Sequence, residues 1–179
     1  MVEEMQNDLP KRMFIEYHQA YMHIQKKWLG LSTIVMAILL LLWLVVFFRT
    51  FNLIANGFNE GRFFLIMMPV MFAAGGVLLA YFLVANWLNK TDIFVSNDLM
   101  EIKIGPVPWR GNMKLETAHI KQIFIQKQVA GHEKKRKITY AVLFNHQNGK
   151  VVKLIGGLES QDQALFIEQR IEDYLGMSQ

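Results

Sequence analysis

The groups able to move a proton or hold a metal are few and scattered: five histidines, fifteen carboxylates and no cysteine in 179 residues. His18 and His23 are five residues apart and do not share a helix face. His119, His132 and His146 fall at three separate expected strand ends. Without cysteine or a paired-carboxylate motif, these histidines read as surface residues, not as a metal site. No phosphate loop, Gly-x-Gly-x-x-Gly, Gly-x-Ser-x-Gly or His-Glu-x-x-His occurs. Glu168, Glu172 and Asp173 read as the solvated side of a helix. The expectation is no catalytic residue, no metal and no cofactor, and hence not an enzyme.

Two other groupings suit binding. Lys134, Lys135, Arg136 and Lys137 are consecutive cations at an expected hairpin tip, and each contributes roughly 1 kcal/mol beside an anionic membrane surface. A solvated turn is the plainer alternative. Pro106, Pro108 and Trp109, with Phe166 on a later helix, form a candidate partner groove. Against it, Trp109 would complete a domain core, and Phe166 would be an isolated exposed apolar residue.

The elements that position these groups follow from where charge is missing. Residues 1–27 hold 8 charged side chains and residues 90–179 hold 23, whereas residues 28–89 hold only Arg49, Glu60 and Arg62. Trp28 to Phe48 and Phe63 to Asn89 are uncharged runs of 21 and 27 residues. Some 20 residues of helix cross a hydrocarbon core of about 30 Å. The runs are therefore expected to span a membrane at about 28–48 and 63–88, as a hairpin joined by a short polar linker. The first run starts too far from the N-terminus for a cleaved signal peptide. Two of Trp28, Trp43 and Trp87 fall at span ends, where indoles favour the interface.

Lysine and arginine near the span ends number six on the flanks against two in the linker, which expects both termini in the cytoplasm of a multi-pass inner-membrane protein. Asn89-Lys90-Thr91 matches a glycosylation acceptor that this orientation would leave unused. Gly75, Gly76 and Ala80 put small side chains on neighbouring turns of the second span, a candidate helix-packing contact within the hairpin or an oligomer. Pro69 is expected to kink that span. Neither span holds an ionisable group, which disfavours a transporter or pump.

Residues 1–27 are expected to form an amphipathic helix, because Phe14, Tyr17, Tyr21, Ile24 and Trp28 recur every three or four residues. Asp8 would cap it, with Pro10 in its first turn. After Lys90 the pattern becomes alternating. Ile93 and Val95, then Met100, Ile102 and Ile104, fit two strands, and Met113 to Glu116 a short third. Ile123 to Val129 and Ile138 to Phe144 fit two longer strands flanking the basic tip. Asn148-Gly149 turns into a last strand, Val151 to Ile155, and Gly156-Gly157 ends the β run. Helix 160–176 closes the chain, with Ser160 as cap, Gln163 completing a capping box and Gly176 beyond its end.

Six or seven antiparallel strands followed by one amphipathic helix resemble a pleckstrin-homology-like barrel. The stretch Thr91 to Trp109 and the helix Gln163 to Gly176 are similar to those of bacterial membrane proteins that carry such a domain after two spans. The resemblance implies an α+β membrane protein, with residues 90–179 as a small antiparallel barrel or sheet closed by the helix. It implies a binding or assembly module, with no shared catalytic residues to carry over. Its lysines and arginines exceed its carboxylates by only 13 to 10, too few for a nucleic-acid surface. Expected partners are membrane lipids and a protein partner or a second copy of the chain. The alternative is an accessory subunit of a transporter or envelope-biogenesis complex, recognised through its spans.

Overall fold

A computed structural model of the chain describes residues 9–56, 63–130 and 137–177. In chain order the elements are β1 (Met13–Tyr17), β2 (Met22–Lys27), α1 (Leu31–Asn56), α2 (Phe63–Leu88), β3 (Lys90–Val95), β4 (Leu99–Gly105) and β5 (Met113–Glu116). A 3₁₀ turn, Thr117–His119, leads to β6 (Ile120–Ala130), β7 (Lys137–His146), β8 (Val151–Leu158) and α3 (Gln161–Leu175). Strands β1 to β5 form one sheet in sequence order, and β6 to β8 form a second. The chain divides into a β unit, residues 1–27, 90–104 and 110–179, and a helical unit, residues 28–89 and 105–109.

The N-terminal segment corrects the helical expectation. Residues 13–27 form a hairpin whose second strand pairs with β3, from Met22 opposite Val95 to Lys27 opposite Lys90. A period of two governs burial here. Met13, Met22 and Ile24 enter the core, whereas Phe14 and Tyr17 stay exposed. An isolated amphipathic helix would have left Met13 and Met22 without cover, and the free edge of β3 decides the matter. Pro10 belongs to a turn, its carbonyl accepting from Met13 N–H at 3.2 Å. The expected cap Asp8 lies outside the described residues. The globular domain is therefore discontinuous: the two apolar helices are inserted in the connection between two paired strands.

One core fills the β unit. Ile93, Val95, Met100 and Ile102 from the first sheet meet Ile123, Val142, Phe144 and Leu158 from the second, with Ala164, Ile167 and Ile171 of α3. Neither sheet closes on itself, so the observed class is α+β with two antiparallel sheets and a C-terminal helix. Strand β8 runs through Gly156-Gly157 to Leu158, beyond the expected stop. Leu158 is fully buried opposite Tyr140, and Gly157 supplies the positive φ of 67° that the irregular pairing needs. Ser160 caps α3 by accepting from Gln163 N–H at 3.2 Å. The return bond of the box is displaced by one residue, because Gln163 Oε1 accepts from Glu159 N–H. Gly176 adopts the left-handed conformation at the C-terminus.

The hairpin β1–β2 is also tied to the far end of the domain. Gln163 Nε2 donates to Lys11 O at 2.9 Å, Lys26 Nζ donates to Gly157 O at 3.1 Å, and Arg12 pairs with Glu159 at 3.0 Å. Burial lowers the Lys26 pKa, opposed by the Glu159 charge.

Across β4 and β5, Glu101 accepts from Lys114 at 2.9 Å and from Lys103 at 3.0 Å. Hydrogen bonds from Lys114 and then Lys103 hold the Glu101 pKa below its ordinary value. A depressed carboxylate pKa contributes stability above its unfolded pKa and loses it as pH falls through the folded one. Glu101→Gln should therefore flatten the acid limb of a stability-against-pH curve, measured by thermal melts between pH 3 and 6. An unchanged acid limb would remove Glu101 from this role.

Helices α1 and α2 are apolar and uncovered. Segments Leu31–Leu53 and Met67–Leu88 have mean hydropathies of 2.8 and 2.1, and in their most apolar 18-residue windows only 6% and 0% of the residues are buried. Both are long and apolar enough to cross a membrane. A helix of a soluble core would be covered by protein, and these are not. Their polar side chains bond within the helix: Thr50 donates to Val46 O, Asn52 to Phe48 O and Asn86 to Phe82 O. Helix α2 continues through Pro69.

Candidate functional site

The Pro106–Trp109 loop belongs to the helical unit and supplies its densest aromatic grouping. Trp109 meets Trp28 edge-on at 5.3 Å, Phe82 edge-on at 5.8 Å and Tyr81 nearly parallel at 6.3 Å between ring centroids. The Tyr81 hydroxyl donates to Pro108 O. Asn89, 2% exposed, accepts from Val107 N–H at 2.7 Å through Oδ1, and its backbone carbonyl accepts from Trp28 N–H. Its Nδ2 has no hydrogen-bond partner among the described residues. A side chain so enclosed is no glycosylation acceptor in the folded protein, whichever side of a membrane it faces.

Trp109 therefore does not complete the β core, and the expectation of a core tryptophan is corrected. An indole with its one donor is better matched to the aromatic collar at the end of an apolar helix than to a dry β interior. Pro106 and Pro108 are exposed and Trp109 is half-buried. Phe166 is half-buried against the β-unit core under the Arg170 guanidinium, so it is not the isolated exposed ring expected on α3. A ring on the flank of the buried face can lean onto it, as this one does. The sequence alone does not mark Tyr81 and Asn89 as contacts. Their signal, a phenol and an amide at the end of an apolar run, is too common to be selective.

Gly75 and Gly76 make a notch on α2 that receives the Trp43 indole of α1. A Cβ added at Gly75 would lie 2.9 Å from Trp43 Cζ2, and one at Gly76 would lie 3.3 Å from Nε1. Trp43 Nε1 donates to Phe72 O at 3.2 Å, and its ring stacks on Phe72. The small residues admit a ring, not a backbone. Ala80 is half-buried one turn further on.

The outer face of the first sheet carries the main polar grouping of the β unit. His23 Nε2 lies 2.9 Å from Asp92 Oδ1, which also accepts from Gln25 at 2.8 Å. The His23 ring stacks on Phe94 at 4.4 Å, and Lys103 Nζ lies over the Phe94 ring, 5.3 Å from its centroid. A shallow depression of about 360 Å³ beside them is lined by Tyr21, Phe94, Leu99, Glu101 and Lys103. His119 and His146, expected at separate strand ends, come together and stack at 5.0 Å. Among the described residues no three metal-ligating side chains converge. Lys134, Lys135 and Arg136 lie outside the described residues, as does the side chain of Lys137 at the start of β7.

Compared with family models, curated proteins and solved structures, the chain finds no match.

Proposed function

We propose that the chain is a membrane-anchored, non-enzymatic interaction and assembly protein. Its helices form a transmembrane hairpin, and its pleckstrin-homology-like domain faces the cytoplasm, where it binds a protein partner, a second copy or anionic lipid headgroups. The observation that carries this reading is the insertion of both apolar helices between paired strands β2 and β3. A folded domain assembled from chain before and after the hairpin keeps both flanks on one side of the bilayer. The charge count, six lysines and arginines on the flanks against two in the linker, favours the cytoplasmic side. Two antiparallel sheets and a capping helix around one core support the pleckstrin-homology-like assignment.

The chain has no cysteine, so single cysteines report cleanly. A cysteine at Asn56 should react with an impermeant thiol reagent on intact cells, and one at Asn148 should react only after lysis. The reverse pattern would overturn the orientation. Labelling at neither site would overturn the crossing itself, given labelling of both in detergent.

A further inference from the structure

Strands β6 and β7 form a two-stranded arm that outruns the core. Along one face the register gives four pairs: Ile123 with Phe144, Ile125 with Val142, Lys127 with Tyr140, and Val129 with Ile138. Burial falls off along this ladder. Ile123 and Phe144 are 2% and 1% exposed, Ile125 and Tyr140 are partly buried, and Val129 and Ile138 are 55% and 44% exposed. The core face of the sheet thus continues past the core and ends in two uncovered β-branched side chains placed opposite one another. Directly opposed residues on one sheet face act as a unit.

Among the described residues, charge on the arm has one sign. Strands β6 and β7 carry Lys121, Lys127 and Lys137 and no carboxylate. The segment that joins the two strands in sequence has one carboxylate, Glu133, among Lys134, Lys135 and Arg136. An apolar end whose described strands carry only cations suits a surface that is anionic outside and apolar within, which a bilayer containing acidic phospholipid provides. We propose that Val129 and Ile138 form an apolar wedge that enters the headgroup boundary of an anionic membrane, with Lys127 at the headgroup level. This rests on the membrane-anchored reading above and adds penetration to surface attraction. The short tether supplies proximity, so the wedge sets depth and orientation of a domain already anchored.

The test uses the full chain in bilayer discs of either phosphatidylcholine alone or phosphatidylcholine with phosphatidylglycerol. A spin label on a cysteine replacing Gln128 reports proximity to a headgroup-bound relaxant, and depth from oxygen against an aqueous nickel complex. In the anionic discs the label should be close to the headgroups and favour oxygen, and in neutral discs it should favour the aqueous relaxant. Val129→Ser with Ile138→Ser should abolish the oxygen preference without moving the thermal transition, because both side chains are exposed. Proximity without oxygen preference would overturn the wedge and leave surface attraction standing. Loss of both in labelled protein whose cysteine topology is intact would overturn any lipid contact of the arm while sparing the anchored reading. Shielding from both relaxants would replace the membrane by a protein occupant.

Discussion

Residues 90–179 produced alone should fail to fold, although they contain six of the eight strands among the described residues and the closing helix. Removing β1 and β2 takes away Met13, Met22 and Ile24, each 3% exposed or less, and strips the cover from Ile93 and Val95. Each large apolar side chain contributes about 1.5–3 kcal/mol by burial, so the three deletions alone cost roughly 5–9 kcal/mol. A domain with about 5–15 kcal/mol of total stability does not survive that loss. The complementary chain should fold. Replacing residues 29–88 by Asn-Gly keeps Trp28 opposite Asn89, whose backbone groups already bond at 3.2 Å, and offers the two-residue turn this pairing accepts. That protein should be soluble and show one cooperative melt, whereas 90–179 should show none. A cooperative melt of 90–179 alone would make the N-terminal hairpin an accessory rather than part of the fold.

The contrast shows where local pattern suffices. From β3 onward consecutive strands pair within each sheet, and the turns Asn97-Asp98 and Asn148-Gly149 carry their own chemistry, so within a sheet neighbours in sequence are neighbours in space. The two apolar helices need only length and composition. Residues 13–27 fit two periods at once. Phe14, Tyr17, Tyr21 and Ile24 fit a helix, whereas Met13, Met22 and Ile24 fit a hairpin. The deciding partner, β3, lies more than sixty residues away across the helices. No window that short holds the information, because the edge that selects strand over helix is tertiary. Trp109 posed the same difficulty. Its ring partners, Trp28, Tyr81 and Phe82, are remote in sequence, and only the folded chain brings them together. His119 and His146 stack for a similar reason, since β6 and β7 are antiparallel and Ile120 is paired with His146.

Gly75→Leu should break the packing of α1 on α2. Even the first carbon of the new side chain would sit 2.9 Å from Trp43 Cζ2, and three further carbons would follow it into the space the indole fills. The indole is rigid and cannot retreat cheaply, because its N–H donates to Phe72 O and its ring stacks on Phe72 at 4.9 Å. Overpacking of this kind costs about 1–3 kcal/mol, and an indole N–H turned toward hydrocarbon adds the penalty of an unmet donor. In the bilayer proposed for these helices no water drives them together, so van der Waals fit and such hydrogen bonds supply most of the cohesion of the pair. The loss should therefore appear as faster proteolysis in detergent and a lower midpoint on titration with a denaturing detergent. Gly76→Ala should be mild, since a Cβ there meets Trp43 at 3.3 Å and asks the ring to yield by only a few tenths of an ångström. Combining Gly75→Leu with Trp43→Ala separates steric conflict from a general intolerance of leucine at this turn. If the notch exists to receive the indole, the double variant regains part of the stability lost by Gly75→Leu. If the two losses simply add, the glycines are not there for Trp43, and the contact they serve lies on another face of α2.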